Sequence, residues 1–340
     1  MKLPREFTHE LIKSTMPSMA YDEKESFTEW QTRARAKLST LLGLDKIIPP
    51  KHDGFRIEWV REKEQYTDTR FVINGEEGYS FPLVLRMPKS VKAPVPLMVC
   101  VQGHSTGMHV SLGEVKYEST DHAFIDNDHC DYAAQAAERG FAALCIEQRN
   151  FGEMGARESD GEPMCHIATM NNILLGRTTI GERVNDISRG IDGVLSHFDQ
   201  IDPDRIMLMG ISGGGTATYY AACIDERISF AISIGAVCTY ESSISSMFHC
   251  TCNFVPGIAR YFGIGDLGGL IAPRGLLAVN GREDPIFPDY GVRDAFSVVQ
   301  KMYRTAGVPG RCRLVTGDGG HICYPDITWS AFEDMIAKKQ

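Results

Sequence analysis

The clearest chemical feature of the sequence is a serine among glycines, Gly210-Ile211-Ser212-Gly213-Gly214. An apolar, strand-like run at 206–209 leads into it, and a run of small residues typical of a helix follows. A strand, a sharp turn and a helix present a serine hydroxyl at the edge of a sheet, and glycines leave room for the strained turn. We therefore predict that Ser212 is a nucleophile and that the Gly213 N–H, at the positive end of a helix, stabilises an oxyanion.

Two other interpretations of this motif were weighed against the nucleophile. A glycine-rich turn could serve packing alone. A dinucleotide-binding loop fits less well, because its G-x-G-x-x-G fingerprint requires glycine at the third position, where this chain has Ser212. The motif also lies past residue 200, deep in the alternating pattern and not at its start.

A serine nucleophile of this kind is followed along the chain by an acid and then by a histidine. Asp284 comes shortly after an apolar run at 275–279, in a loop that is pinned by glycine and proline. Because the acid is expected just beyond the end of a strand, we predict that Asp284 has this role. Glu283 and Asp289 are the alternatives, and either could instead be a solvated loop charge.

The base is expected after the last strand-like run, 312–315. There Gly319-Gly320-His321 forms a loop that can place an imidazole over Ser212, whereas His104 and His249 lie on other loops. We predict that His321 takes the Ser212 proton, that Asp284 fixes the imidazole tautomer, and that hydrolysis proceeds through an acyl-enzyme. No cofactor is expected.

A second oxyanion donor normally comes from the loop after the first buried strand, here 96–101. That loop reads Gln102-Gly103-His104-Ser105. We expect the donor to be the main-chain N–H of His104, with Ser105 as the alternative. The side chains of Gln102 and Ser105 are candidates for lining the substrate pocket.

The elements that position these residues alternate between apolar runs and helical stretches. The apolar runs are 96–101, 141–146, 205–209, 230–234, 275–279 and 312–315; the helical stretches are 132–139, 181–198, 213–223 and 291–306. This order predicts an α/β fold with a mostly parallel, doubly wound sheet and helices on both faces. Segments 104–127, 151–180 and 237–272 break the rhythm, and we expect them to form loops over the site.

Two units are predicted along the chain. Residues 1–75 form an N-terminal helical extension and leading strands, with a helix at 27–44, strands at 55–60 and 69–73, and packing on the core. Residues 76–340 form the catalytic α/β unit, with an insertion at about 237–272.

The composition of the 340 residues narrows the classes of function. The net charge of −9 disfavours a nucleic-acid partner, which would need a basic face. No apolar run reaches the length of a membrane span, and the first residues lack the apolar core of a signal peptide. We therefore expect a cytoplasmic protein without a membrane partner.

The ten cysteines are scattered along the chain. Cys100, Cys145 and Cys223 fall in apolar or helical runs, which is typical of buried, reduced thiols. The pair Cys250 and Cys252, with His249 beside it, could bind a metal, but no second ligand pair at zinc spacing accompanies it. The expectation is a loop with free thiols and no metal.

Several segments resemble the acetyl xylan esterase-like branch of the α/β-hydrolases, which is related to dienelactone hydrolase-like proteins and cephalosporin-C deacetylases. They are 101–104, 145–153, 175–181, 202–206, the serine motif and Gly319-Gly320-His321. The resemblance spans residues 80–335 and implies an α/β-hydrolase fold. It also implies a carboxylesterase that removes short acyl groups, often acetyl from a sugar, with Ser212, Asp284 and His321 as the triad.

The chain departs from these relatives at two places. Dienelactone hydrolases have cysteine where this chain has Ser212, so their chemistry is not expected. The Arg-Gly-Gln-Gly motif of cephalosporin-C deacetylases is Arg149-Asn150-Phe151-Gly152 here, which weakens the case for their specificity. Arg149 is a candidate for the substrate pocket, but we favour a structural role in a buried ion pair with Glu147 or Glu153.

Alternative functions follow from the same sequence. A small peptidase or amidase of the prolyl-oligopeptidase type would usually carry a large N-terminal propeller, which the 75 residues before the core cannot build. A non-catalytic binding protein on the same fold is disfavoured because all three triad residues are present in order. The leading hypothesis is a serine carboxylesterase with a small-molecule or saccharide ester as substrate. The sequence leaves the oligomeric state open, with a homo-oligomer among the arrangements it allows.

Overall fold

A computed structural model of the chain describes residues 1–104, 106–118, 120–155 and 165–337. Within these ranges nine strands form one sheet: β1 (Arg56–Glu62), β2 (Tyr66–Glu76), β3 (Tyr79–Pro88), β4 (Val95–Val101), β5 (Ala142–Ile146), β6 (Ile201–Ile211), β7 (Ile228–Ile234), β8 (Gly275–Gly281) and β9 (Cys312–Gly317). Their order across the sheet is β1-β2-β3-β5-β4-β6-β7-β8-β9.

The sheet has an antiparallel part and a parallel part. β1, β2 and β3 run antiparallel, and β3 pairs antiparallel with β5. Every neighbouring pair from β5 to β9 is parallel. The central strands are buried almost throughout, which explains their continuous apolar runs. The predicted mostly parallel sheet is therefore confirmed, and the carboxyl ends of its parallel strands lie at one edge.

Helices cover both faces of the sheet, as predicted. They are α1 (Pro4–Ser14), α2 (Phe27–Leu42), α3 (Met108–Ser111), α4 (Tyr132–Glu138), α5 (His166–Leu174), α6 (Thr179–His197), α7 (Gly213–Ile224), α8 (Ile264–Ile271), α9 (Asp289–Thr305) and α10 (Pro325–Ala337). Residues of α4 and α10 share one buried apolar cluster with the sheet. Residues of α2, α6, α7, α8 and α9 share the other.

The N-terminal helix α2 lies against the parallel part of the molecule. It ends at Gly43, whose φ of 73° stops the helix in a left-handed conformation. Its inward face, which includes Trp30 and Leu38, is fully buried. The Gln31 side chain donates hydrogen bonds to the carbonyl oxygens of Gly269 and Ala272, both at 2.7 Å. Gln31 lies more than two hundred residues before both of its partners in the sequence. Helix α2 is therefore held on the core by residues from a much later part of the chain.

The three segments that broke the sequence rhythm contain short helices joined by loops. Helix α3 lies in 104–127, α5 lies in 151–180, and α8 lies in 237–272. Helix α8 is buried along its whole length and packs against α9. Across the described ranges, no helix is both long enough and apolar enough to cross a bilayer.

Candidate active site

Ser212 lies at the turn between β6 and α7. Its φ of 57° and ψ of −119° are rare for a residue other than glycine. Two main-chain hydrogen bonds hold the turn: the Ser212 N–H donates to Ile234 O, and the Thr216 N–H donates to Ser212 O, both at 2.8 Å. A Cβ at Gly210 would lie 2.6 Å from the carbonyl oxygen of Val101, so the close passage of β4 requires glycine there.

His321 and Asp284 form a hydrogen-bonded pair. Asp284 Oδ2 lies 2.7 Å from His321 Nδ1, and Asp284 is 4% exposed. The other carboxylate oxygen accepts hydrogen bonds from the N–H groups of Ile286 and Phe287 at 2.8 and 2.9 Å. These bonds fix the carboxylate, which in turn orients the ring. The opposite nitrogen, Nε2, is buried and has no hydrogen-bond partner among the described residues, so it is available to accept a proton.

The alternative acids do not contact His321 in the part of the chain that the structure describes. Glu283 is exposed to solvent. Asp289 begins α9, and its Oδ2 accepts a hydrogen bond from Arg293 Nε at 2.6 Å. Of the three carboxylates considered from the sequence, Asp284 is the one that the fold places at the imidazole.

Gly235, directly after β7, brings the imidazole close to the serine turn. A Cβ at Gly235 would lie 2.7 Å from His321 Cε1, so the ring packs directly on the main chain there. The neighbouring residue, Ile234, is the one that accepts the Ser212 N–H. The structure thus gathers Ser212, Asp284 and His321 around the carboxyl end of β7.

The two predicted oxyanion donors lie side by side. A Cβ at Gly213 would lie 3.6 Å from the main-chain nitrogen of His104, so the backbones of these two residues approach closely. Gly103 lies against the serine turn, since its Cβ would be 3.8 Å from Ser212 Cβ. Ser105, the alternative donor and a pocket candidate, lies outside the described residues.

Gln102 supports the loop that carries His104. It is buried, and its Nε2 donates to Glu147 Oε1 at 2.7 Å, while the N–H of Met108 donates to the same oxygen at 3.1 Å. Burial raises the pKa of Glu147 to about 8. The loop therefore rests on a carboxyl group that is mostly protonated at neutral pH, and Gln102 is an internal support whose amide does not face solvent.

Arg149 is also placed inside the protein, but its expected partners were wrong. Its Nε and Nη2 donate to Asp186 at 2.7 and 2.9 Å, and its Nη1 donates to Glu76 at 2.6 Å and Glu182 at 3.1 Å. Glu182 and Asp186 are four residues apart and share one face of α6, so together they form an acidic surface that a local sequence pattern around Arg149 does not reveal.

The two partners that the sequence suggested for Arg149 are engaged elsewhere. The carboxyl group of Glu147 bonds to Gln102, and the carboxylate of Glu153 pairs with Arg70 at 2.7 Å. The guanidinium of Arg149 is thus occupied by carboxylates, which matches the structural role that the sequence favoured over catalysis.

Residues 4–316 match the sequence profile of the Abhydrolase family, a range that includes Ser212 and Asp284 and ends just before His321. The chain belongs to this α/β-hydrolase family. The fold expected from the sequence is confirmed. The hydrolase is 26% identical over 294 residues to YtaP, a Bacillus subtilis (strain 168) protein named as a hydrolase, with 84% of this chain and 92% of the relative covered.

Solved structures with the same fold include carbohydrate esterases. One, described as an acetyl xylan esterase from Bacteroides fragilis NCTC 9343, has a TM-score of 0.78 at 16% identity and covers 96% of this chain and 84% of its own. Another, a glucuronoyl esterase from Solibacter usitatus, has a TM-score of 0.70 at 15% identity and covers 94% and 96%. At this level of identity the likeness establishes the fold of the hydrolase.

A cluster that the sequence did not predict lies beside the oxyanion loop of the hydrolase. We call it the thiol cluster; its members are His104, Cys165, Cys250 and Cys252, whose nearest side-chain nitrogen and sulfur atoms all lie within 4.8 Å of one another. Burial disfavours the charged imidazolium, but hydrogen bonds to the Cys250 and Cys252 sulfurs outweigh burial and raise the pKa of His104 to about 9.

His249 is not part of the thiol cluster, although it is adjacent to Cys250 in sequence. Its Nε2 lies 3.1 Å from Ser243 Oγ, and its ring packs edge-on against Phe287. The sequence signal that could have found the cluster is weak: a cysteine pair two residues apart, with its other two members on separate loops. His104 had been singled out only for its main-chain N–H.

Proposed function

We propose that the hydrolase is a serine carboxylesterase that cleaves short-chain acyl esters, with acetyl esters of carbohydrates as the favoured substrate class. The observation that carries this proposal is the Asp284–His321 pair: Nε2 has no hydrogen-bond partner among the described residues, and the ring packs on Gly235, next to the residue that holds the strained Ser212 turn. A buried acid, an oriented imidazole and a partly exposed serine are the parts that acyl transfer needs.

In the proposed reaction, His321 Nε2 removes the Ser212 hydroxyl proton as Oγ attacks the ester carbonyl. The negative charge that develops on the carbonyl oxygen is stabilised by the adjacent N–H groups of Gly213 and His104. His321 then gives the proton to the leaving alcohol, and an acyl-Ser212 intermediate remains. Water, activated by the same imidazole, releases the acid and restores the serine.

The substrate class rests on the relatives and on the resemblance in the sequence. Solved structures with this fold are described as an acetyl xylan esterase and as glucuronoyl esterases. In the former the name implies that the sugar supplies the alcohol, whereas in the latter it implies that the sugar supplies the acid. Acetylated and esterified sugars are therefore the two forms of substrate to compare, and the sequence resemblance favours acetylated ones.

The test uses p-nitrophenyl acetate, butyrate and octanoate with the wild type, Ser212→Ala and the control Ser229→Ala. Ser229 lies at the start of β7, at the opposite end of the strand from the site. We expect wild-type kcat/KM to fall as the acyl chain lengthens and Ser212→Ala to lose at least about 10⁴-fold, with Ser229→Ala unchanged. Equal hydrolysis by the wild type and Ser212→Ala would exclude Ser212 as the nucleophile.

A second comparison addresses the substrate class. Release of acetate from acetylated xylo-oligosaccharides is compared with hydrolysis of a methyl ester of glucuronic acid and of a p-nitroanilide peptide. We expect the acetylated sugar to give the highest kcat/KM. Faster cleavage of the uronic ester would move the proposal to acid-side sugar esters, and faster cleavage of the anilide would overturn it in favour of a peptidase.

A further inference from the structure

The thiol cluster has the composition and the spacing of a metal site. Cys252 Sγ lies 3.8 Å from His104 Nδ1, and Cys165 Sγ lies 3.9 Å from the other ring nitrogen, Nε2. One imidazole nitrogen binds one metal ion, so only one of these two distances is a spacing between ligand atoms. In a tetrahedral zinc site with metal–ligand distances of 2.0–2.3 Å, neighbouring ligand atoms are about 3.3–3.8 Å apart. The cluster, with all four atoms within 4.8 Å, therefore needs a contraction of at most about 1.0–1.5 Å to enclose a zinc ion.

A buried arginine beside the cluster provides an independent observation. Arg183 is 0% exposed, and its Nη1 and Nη2 lie 3.5 Å from Cys252 Sγ and 3.7 Å from Cys165 Sγ. Its other hydrogen bonds go to the carbonyl oxygen of Arg149. Within the ranges that the structure describes, Arg183 forms no ion pair with a carboxylate, although a buried cation is costly unless an anion balances it.

The charge of a loaded site would supply that anion. Three thiolates, one neutral imidazole and one divalent cation sum to a single negative charge, which the guanidinium of Arg183 neutralises. Its N–H groups already point at two of the sulfurs, as outer partners of metal ligands commonly do. Arg183 also stacks on Phe151, with its Cζ 4.0 Å from the ring centroid, so its position is fixed by packing as well as by charge.

We propose that His104, Cys165, Cys250 and Cys252 form a closed, four-coordinate site for a thiophilic divalent cation, zinc above all. Four protein ligands leave no open position for water, which is the pattern of a structural zinc site and not of a catalytic one. Binding exchanges the protons of the three thiols, and of His104 where it carries one, for the metal, so protons are released and no electrons are transferred. This proposal departs from the sequence-based expectation of free thiols.

A metal bound in the thiol cluster would fix the position of the oxyanion loop. His104 follows β4 and carries one of the two proposed oxyanion N–H groups, while Cys250 and Cys252 lie on the long segment after β7 and Cys165 lies just before α5. A metal bound to all four ties these three loops together and holds the His104 main chain near Ser212. This consequence rests on the proposed function; the binding of the metal itself does not.

The test measures metal binding by the reduced, full-length protein. Metal-free wild type is titrated with Co²⁺, which reports tetrahedral thiolate ligation by its visible and sulfur-to-metal charge-transfer absorption, and the bound Co²⁺ is then displaced with Zn²⁺. Zinc content is measured by elemental analysis after gel filtration. Cys165→Ser and Cys252→Ser are compared with the controls Cys312→Ser and Cys223→Ser, whose thiols lie outside the cluster. Cys250→Ser, at a partly exposed position, serves if the buried variants do not fold.

We expect one Zn²⁺ per chain in the wild type and in both control variants, with affinity weakened by more than about 100-fold in each cluster variant. Failure of wild type to retain zinc, equal zinc retention by all the variants, or a Co²⁺ spectrum without thiolate charge transfer would each overturn the proposal. An inactive but zinc-loaded wild type would leave the site standing and count against the esterase instead.

Discussion

The serine site and the thiol cluster both contact the same oxyanion loop, but they are built in different ways. Ser212, Asp284 and His321 each follow closely after a strand of the parallel sheet, so the sheet itself determines where they meet. In the thiol cluster only His104 follows closely after a strand, whereas Cys165, Cys250 and Cys252 lie on long segments between strands. Residues attached to strand ends are thus positioned by the core, whereas residues on long loops need a local tie to hold them together.

The largest expected difference between the two regions is in the chemical step. His321→Gln removes the proposed base and should lower kcat by about 10⁴-fold or more, because an amide cannot take the Ser212 proton. His249→Gln is the matched control, since this second imidazole lies against Phe287 as His321 does. Steady-state kinetics with p-nitrophenyl acetate measure both. A loss in His249→Gln as large as in His321→Gln would show that the base has been wrongly assigned.

Asp284→Asn should have the next largest effect, about 10³–10⁴-fold in kcat, because asparagine leaves the geometry intact but favours the wrong imidazole tautomer. Asp289→Asn, which changes a carboxylate of the same loop that pairs with Arg293, should stay within about 3-fold of the wild type. The same assay applies to both. If Asp289→Asn proves to be the more damaging change, the acid lies there and the hydrogen-bonded pair is only structural.

His104→Gln tests the thiol cluster, the second of the two regions compared. The main-chain N–H remains, so the loss of the imidazole should lower kcat by only about 10-fold, less than the 10²–10³-fold expected when an oxyanion donor is removed outright. KM should be nearly unchanged, since the change affects the oxyanion loop and not substrate binding. Cys252→Ser should give the same kcat if the metal acts through His104. A wild-type kcat in one of the two variants would show that the thiol cluster does not act on catalysis through the oxyanion loop.

The last expected effect concerns stability and not the rate of reaction, at the base of the oxyanion loop. The pKa of Glu147 is about 8 in the folded protein, above the ordinary value of 4.5, so folding binds its proton. This contribution to stability is fully present below the pKa that Glu147 has in the unfolded chain. It falls by about 1.4 kcal/mol per pH unit as the pH rises from that value, and it is lost once the pH passes the pKa of Glu147 in the folded protein. Glu147→Gln should remove that slope.

The measurement is the free energy of urea unfolding between pH 5.5 and 8.5. Glu283→Gln, at an exposed loop position, is the control and should keep the wild-type slope. Parallel curves for the wild type and Glu147→Gln would mean that the Glu147 carboxyl is ionised in the fold, and that the oxyanion loop rests on a charge.

The difference between the two regions also explains what could be predicted from the sequence. The strands and the positions of Ser212, Asp284 and His321 could be predicted, because continuous apolar runs locate strands and short motifs follow the ends of those strands. The partners of Arg149 could not be predicted from the sequence, since Glu76 lies on a distant strand and Glu182 lies on a helix. The contact between the His104 imidazole and Cys165 depends on the paths of two long loops. Hydrophobic periodicity carries no information about such paths.

The position of α2 affects synthesis of the chain on the ribosome. Its apolar face is buried against partners that extend to Ala272, yet the helix itself is complete at Leu42. At a translation rate of 5–20 residues per second, the intervening chain takes on the order of ten seconds or more to be made. During that time Trp30 has only its early neighbours Tyr21 and Phe27 and lacks its packing against Gly269. The nascent hydrolase therefore presents an amphipathic helix that chaperones can bind and that a prematurely ended chain could never cover.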